Sequence, residues 1–184
     1  MRLTPGTAAP ALQATSHLGE PVDLAELRGR PVLLSFYRYA SCPVCNLRVR
    51  AIIRALPGLP ASGLGIIAVF QSPPATVAKY VGRQDAPFPI VSDPALRHYR
   101  AFGVETRWGG LFSRRALAAV VRALRRGFSP GRIDGPVQRV PADFLIAPDG
   151  RIAVAHYGKD IDDHLPLETV EAWLHRIQPA PTLP

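Results

Sequence analysis

The two cysteines of this 184-residue chain, Cys42 and Cys45, stand three apart in Ala40-Ser41-Cys42-Pro43-Val44-Cys45-Asn46. Two thiols at that spacing can close a local disulfide, so the pair is a candidate dithiol/disulfide centre. Its surroundings add to the chemistry. The apolar run Val32-Leu33-Leu34-Ser35-Phe36-Tyr37 ends just before it, and Leu47, Val49, Ile52, Ile53 and Leu56 recur at helical spacing after it, until Pro57-Gly58. The cysteines are therefore expected where a buried strand hands over to a helix. Unpaired N–H groups and the positive end of the helix dipole at such a junction lower a thiol pKa and raise its nucleophilic fraction. Arg38, Arg48 and Arg50 are close enough in sequence to add cationic stabilisation. Structural zinc normally needs four ligands; there is no second cysteine pair, and His17, His98, His156, His164 and His175 lack ligand spacing, so no metal is expected. The plainer alternative is two buried thiols acting as small apolar residues.

The elements that must position the pair follow from patterning. Val32 to Tyr37 reads as a strand buried on both faces, and Leu64 to Phe70 as a second. Ser72-Pro73-Pro74 favours a helix through about Tyr80; a short strand near 88–91 and a helix from Pro94 to about Phe102 follow. Alternation of strand and helix implies a mainly parallel sheet with helices on its faces. Later, Asp143 to Ala147 and Arg151 to His156 flank Pro148-Asp149-Gly150, a hairpin signal, and an amphipathic helix over 167–177 puts Val170, Trp173, Leu174 and Ile177 on one face. Between these parts, 105–139 fits neither half of the sheet. Its centre, 111–126, sets Leu117, Val120, Val121 and Leu124 against Arg114, Arg115, Arg122, Arg125 and Arg126, as in a surface helix with a solvated basic face; a lid, a dimer contact or a membrane-surface helix are the sharper readings.

Composition sets outer limits. With 47% apolar and 20% charged residues the chain reads as one globular domain. The start lacks the apolar stretch of a signal peptide and no run approaches a membrane span, so a soluble, cytoplasmic protein is expected. A charge of +8 permits an acidic partner, but Lys79 and Lys159 are the sole lysines and a bare net charge is a weak signal, so no nucleic-acid function is read from it.

Several stretches around the cysteines, in order and spacing, resemble the thioredoxin-fold superfamily. They are similar in particular to the peroxiredoxin-like, Cys-x-x-Cys branch of the alkyl hydroperoxide reductase and thiol-specific antioxidant family. These stretches are 5–10, 27–37, Ser92-Asp93-Pro94, Phe102-Gly103-Val104 and Phe144-Leu145-Ile146-Ala147-Pro148-Asp149-Gly150. The resemblance implies a thioredoxin-like α/β fold of the peroxiredoxin type: a central mixed sheet flanked by helices, with a helical insertion around 105–139. The peroxiredoxin pattern Phe-Tyr-Pro-x-x-x-Thr-x-x-Cys, laid on Phe36 to Cys45, puts the peroxidatic cysteine at Cys45, the threonine on Cys42 and the proline on Arg38. The family's catalytic arginine falls on Pro141, where thioredoxins place a cis-proline; Val140-Pro141-Ala142 looks like that element.

The implied activity is thiol-dependent reduction of hydroperoxides, with Cys45 oxidised to a sulfenic acid and Cys42 closing the disulfide. An external thiol such as thioredoxin or glutaredoxin would then reduce the pair; no organic cofactor is implied, and a homodimer is compatible. The alternative is disulfide exchange on a partner protein, begun by Cys42. Arg38, Arg48, Arg107 and Arg139 are the candidates to replace the missing arginine, Arg139 being favoured for its place beside Pro141. Ser41 is a supporting candidate, and Trp108 could line a substrate mouth or pack in the core. The cluster Asp160, Asp162, Asp163 and His164 is expected as a solvated loop capping the last helix.

Overall fold

A computed structural model describes residues 1–59, 63–106 and 113–177. Arg107, Trp108 and the start of the expected basic helix lie outside them. Strands β1 (Gln13–Thr15) and β2 (Pro21–Asp23) form a separate antiparallel pair. The main sheet has the order β5-β4-β3-β6-β7, built from β3 (Val32–Phe36), β4 (Gly65–Phe70), β5 (Ile90–Ser92), β6 (Ala142–Ile146) and β7 (Ile152–Tyr157). β3 runs parallel to β4 and antiparallel to β6, so the sheet is mixed, as expected.

β3 sits centrally because every residue in it is buried, a pattern that suits a strand covered on both faces. Leu33 packs into the core beneath α1 (Pro43–Ala55), α2 (Pro74–Lys79), α4 (Arg114–Arg125) and α5 (Leu167–Ile177). Leu34 and Phe36 point the other way, toward the core that holds Tyr99 and Phe102 from and just after α3 (Arg97–Ala101). Truncating either leucine to alanine would cost about 2–5 kcal/mol. Asp93 starts α3: its carboxylate accepts from the N–H groups of Arg97, His98 and Tyr99. The hairpin at 148–150 joins β6 and β7, with Gly150 at φ +81°.

Two sequence expectations need correction. Among the described residues no peptide bond is cis, so Pro141 is trans. A trans X–Pro bond is favoured by about 0.5–1 kcal/mol, and Pro141 leads directly into β6, its carbonyl accepting from Gly158. The second concerns α4. The face that packs is the alanine stripe Ala116, Ala119 and Ala123, while Leu117, Val121 and Leu124 are exposed. Small residues let α4 approach α1 closely, and the helix is anchored by polar bonds. Ser113 caps its first turn and donates to Asp160. Arg115 and Arg122 both reach Asp162 while Arg114, Arg125 and Arg126 stay exposed, so the basic face is solvated as expected but two of its arginines fasten it to the 160–164 cluster, where α4 docks. Among the described residues no helix is long and apolar enough to cross a membrane.

Candidate active site

The loop 37–42 carries the chain from β3 into α1. Tyr37 is stacked on Phe70 with ring centroids 4.7 Å apart, and its carbonyl accepts from the Tyr99 hydroxyl. The Ala40 N–H donates to Ser72 Oγ, and Asn46 Nδ2 donates back to the carbonyls of Ala40 and Cys42 at 2.7 and 2.9 Å. These bonds fix the backbone so that Cys42 becomes the N-cap of α1, with Pro43 in the first turn, where a missing N–H is harmless.

Two donors converge on the Cys42 sulfur: Arg38 Nη2 lies 3.0 Å away and the Cys45 N–H donates from 3.3 Å. Burial alone would raise the Cys42 thiol; the bond from Cys45, the charge of Arg38 and the capped N–H outweigh it and bring the thiol down to about 6. Cys45 is pushed the opposite way. Burial, its hydrogen bond to Cys42 and the charge held there all raise its thiol well above the ordinary value, against the pull of Arg38. The two thiols titrate as a pair, and the donors that meet at Cys42 draw the charge toward its sulfur. Arg38, itself only 4% exposed, is kept charged against the cost of burial by both sulfurs.

The expected residues fall into three groups. Arg38 is the guanidinium at the sulfur. Arg139 is spent elsewhere: Nε donates to Gln71, Nη1 to the Val104 carbonyl, and its guanidinium carbon lies 4.8 Å from the centre of the Tyr99 ring. Arg48 donates to the Leu165 carbonyl. Ser41 and Arg38 have a second task, because neither sulfur is open to solvent (Cys42 is 0% and Cys45 2% exposed). The segment 132–137 lies against the loop. Ser41 Oγ donates to the Arg132 carbonyl, Arg38 Nη1 to Val137, Gln71 to Pro136, and Ser72 to Asp134. Gly135 leaves room for the Gln71 amide, which a Cβ at that position would displace from its bonds to Pro136 and Arg139.

Patterning missed the polar group beneath the site. Asp143, fully buried on β6, accepts from the Leu165 N–H at 2.8 Å and lies 3.0 Å from His164 Nδ1. Burial would raise its carboxyl, but His164 and the positive charge of Arg48 hold it well below the usual range. His164 packs on the Tyr37 ring, 5.2 Å between centroids. The one signal in the sequence was a lone acid in an otherwise apolar strand.

Comparison with known proteins fits this arrangement. The AhpC/TSA family pattern matches residues 5–155. The chain belongs to the AhpC/TSA family. A Mycobacterium tuberculosis relative provisionally named a peroxiredoxin, Rv2521, is 29% identical over 164 residues, covering 89% of this chain and 91% of the relative. The thiol-disulfide oxidoreductase ResA of Halalkalibacterium halodurans is 34% identical over 87 residues, 47% of this chain and 49% of that one. Among solved structures, peroxidoxin BcpB of Mycobacterium tuberculosis superposes with a TM-score of 0.71 at 18% identity, covering 96% of this chain and 99% of its own. That likeness shows the fold to be the thioredoxin-type fold of this AhpC/TSA member.

Proposed function

We propose that this AhpC/TSA member is an oxidoreductase that reduces hydroperoxides at the Cys42–Cys45 dithiol and is regenerated by an external thiol. The observation that carries the reading is the Arg38 guanidinium 3.0 Å from the Cys42 sulfur, with the Cys45 N–H on the same sulfur and the Cys45 thiol one helical turn away. A thiolate attacks one peroxide oxygen, the O–O bond breaks, and the departing alkoxide or hydroxide takes a proton. The sulfur is left as a sulfenic acid, and the second thiol displaces its oxygen as water to form the disulfide. An external dithiol then supplies two electrons and two protons by exchange, and a reducing cytoplasm provides such thiols.

The family register assigns the attack to Cys45, with Cys42 taking its proton through the bond they share and later resolving. A specific observation favours a second reading: the donors concentrate charge on Cys42, so attack starts there and Cys45 resolves. In that order the same geometry also suits thiol-disulfide exchange, the activity named for the relative ResA, here with a protein disulfide as the partner.

The test is to mix reduced protein with a small excess of hydrogen peroxide or an alkyl hydroperoxide, follow thiol loss by stopped flow, and trap sulfenic acid in Cys42→Ser and Cys45→Ser. Fast loss with trapping in Cys42→Ser supports the Cys45 order, and trapping in Cys45→Ser the Cys42 order. Reaction no faster than a free thiol, with protein disulfides still reduced, leaves exchange alone.

A further inference from the structure

A cavity of about 660 Å³ opens on the outer side of α1, away from the cysteines, bounded by α4 and the 162–168 segment. This volume suits a small organic ligand rather than a single ion. Six guanidinium groups line it, from Arg48, Arg50, Arg54, Arg115, Arg122 and Arg126, against the carboxylates of Asp162 and Glu168. Asp162 is already shared by Arg115 and Arg122. Among the described residues, Arg50, Arg54 and Arg126 have no carboxylate within ion-pair distance.

Two further observations mark the wall as incomplete. His164 lines the cavity and is 5% exposed, and its Nδ1 is taken by Asp143 while its Nε2 has no hydrogen-bond partner. Arg48 is satisfied at Nη2 by the Leu165 carbonyl, but its buried Nε is also without a partner. A buried guanidinium N–H is normally paired, so the Arg48 orphan beside an excess of positive charge indicates a missing acceptor, and the unpartnered His164 nitrogen marks a second open polar position in the same wall. Arginine forks match the oxygens of phosphates, and several forks around one cavity match a chain of them.

We propose that this cavity binds an oligophosphate of two or three phosphates, free or as the tail of a nucleotide. Phe128, with the Arg50 guanidinium carbon 5.8 Å from its ring centre, forms the aromatic part of the wall. The ligand would tie α4 to the helix whose first turn holds the cysteines.

Calorimetric titration of the intact protein with tripolyphosphate, with sulfate at matched ionic strength as reference, tests this. The expected result is binding at least about tenfold tighter than sulfate, weakened at least about tenfold in Arg54→Glu and in Arg126→Glu. Both residues are exposed, and unchanged thiol reactivity in the variants serves as the control for folding. ADP compared with pyrophosphate separates the sources: tighter ADP binding assigns a nucleotide, and equal binding the phosphate chain alone. Affinity no better than sulfate, variants that bind like the parent, or tighter binding of a short acidic peptide than of tripolyphosphate would overturn the proposal.

Discussion

Replacing Arg38 by methionine keeps most of the buried stem and removes the charge 3.0 Å from the Cys42 sulfur. A hydrogen bond to a charged group contributes about 1.5–3 kcal/mol. At about 1.4 kcal/mol per pKa unit, its loss corresponds to about 1–2 units. The Cys42 thiol should therefore rise from about 6 to about 7–8. At pH 7 the thiolate fraction would fall from about nine-tenths to between about one-half and one-tenth. Thiolate absorbance near 240 nm against pH gives the midpoint, and iodoacetamide alkylation resolved by peptide mass assigns it to Cys42. Arg38→Lys, which keeps a cation, should recover part of the shift. A methionine variant that folds and titrates within about 0.3 unit of the parent would refute the role given to Arg38.

Other outcomes follow from the same geometry. The folded pKa of Cys42 is depressed, so its contribution to stability is present above the ordinary thiol value of 9.0 and lost as pH falls through about 6. Cys45 is raised, so its contribution holds below that ordinary value and is lost at higher pH. Relative to Cys42→Ser, the reduced protein should gain stability from pH 6 toward 9 with a slope of up to about 1.4 kcal/mol per unit, and denaturant melts showing the opposite slope would sink this. Ser41→Ala frees the Arg132 carbonyl and should speed labelling of the cysteines by Ellman's reagent about fivefold, if loss of a bond of about 1 kcal/mol opens the 132–137 segment. Equal labelling rates would show that the segment does not control access. Asp143→Ala removes the acceptor for His164 and Leu165 and should cost about 3–5 kcal/mol in urea unfolding; a loss under about 1 kcal/mol would contradict the buried network.

The strands, the helix after the cysteines and the junction between them were legible because each is written in local periodicity. The apolar run at 32–37 and the helical spacing from Leu47 to Leu56 admit few other arrangements. The family resemblance added that the sheet is mixed. What it could not supply was the identity of the guanidinium at the sulfur. In one dimension Arg139 was favoured for its place beside Pro141, but the turn at 37–42 aims Arg38 at Cys42 while Gln71 and Val104 hold Arg139 away. The packing face of α4 was misread for a related reason. Hydrophobicity favours Leu117 and Leu124 as the inner face, but the acceptors at Asp160 and Asp162 lie far along the chain and turn the alanine stripe inward. The cover over the cysteines was equally hidden, since Arg132, Asp134 and Val137 become its anchors only through tertiary bonds.

The most direct test of the central claim is the product formed when reduced protein meets one equivalent of hydroperoxide. Thiol loss measured by stopped flow, followed by intact-mass analysis, should show rapid conversion to a species lighter by two hydrogens, with the Cys42 and Cys45 peptides joined. Thiol loss at the rate of a free thiol, or oxidation that leaves the two cysteines unjoined, would contradict a peroxide-reducing dithiol at this site.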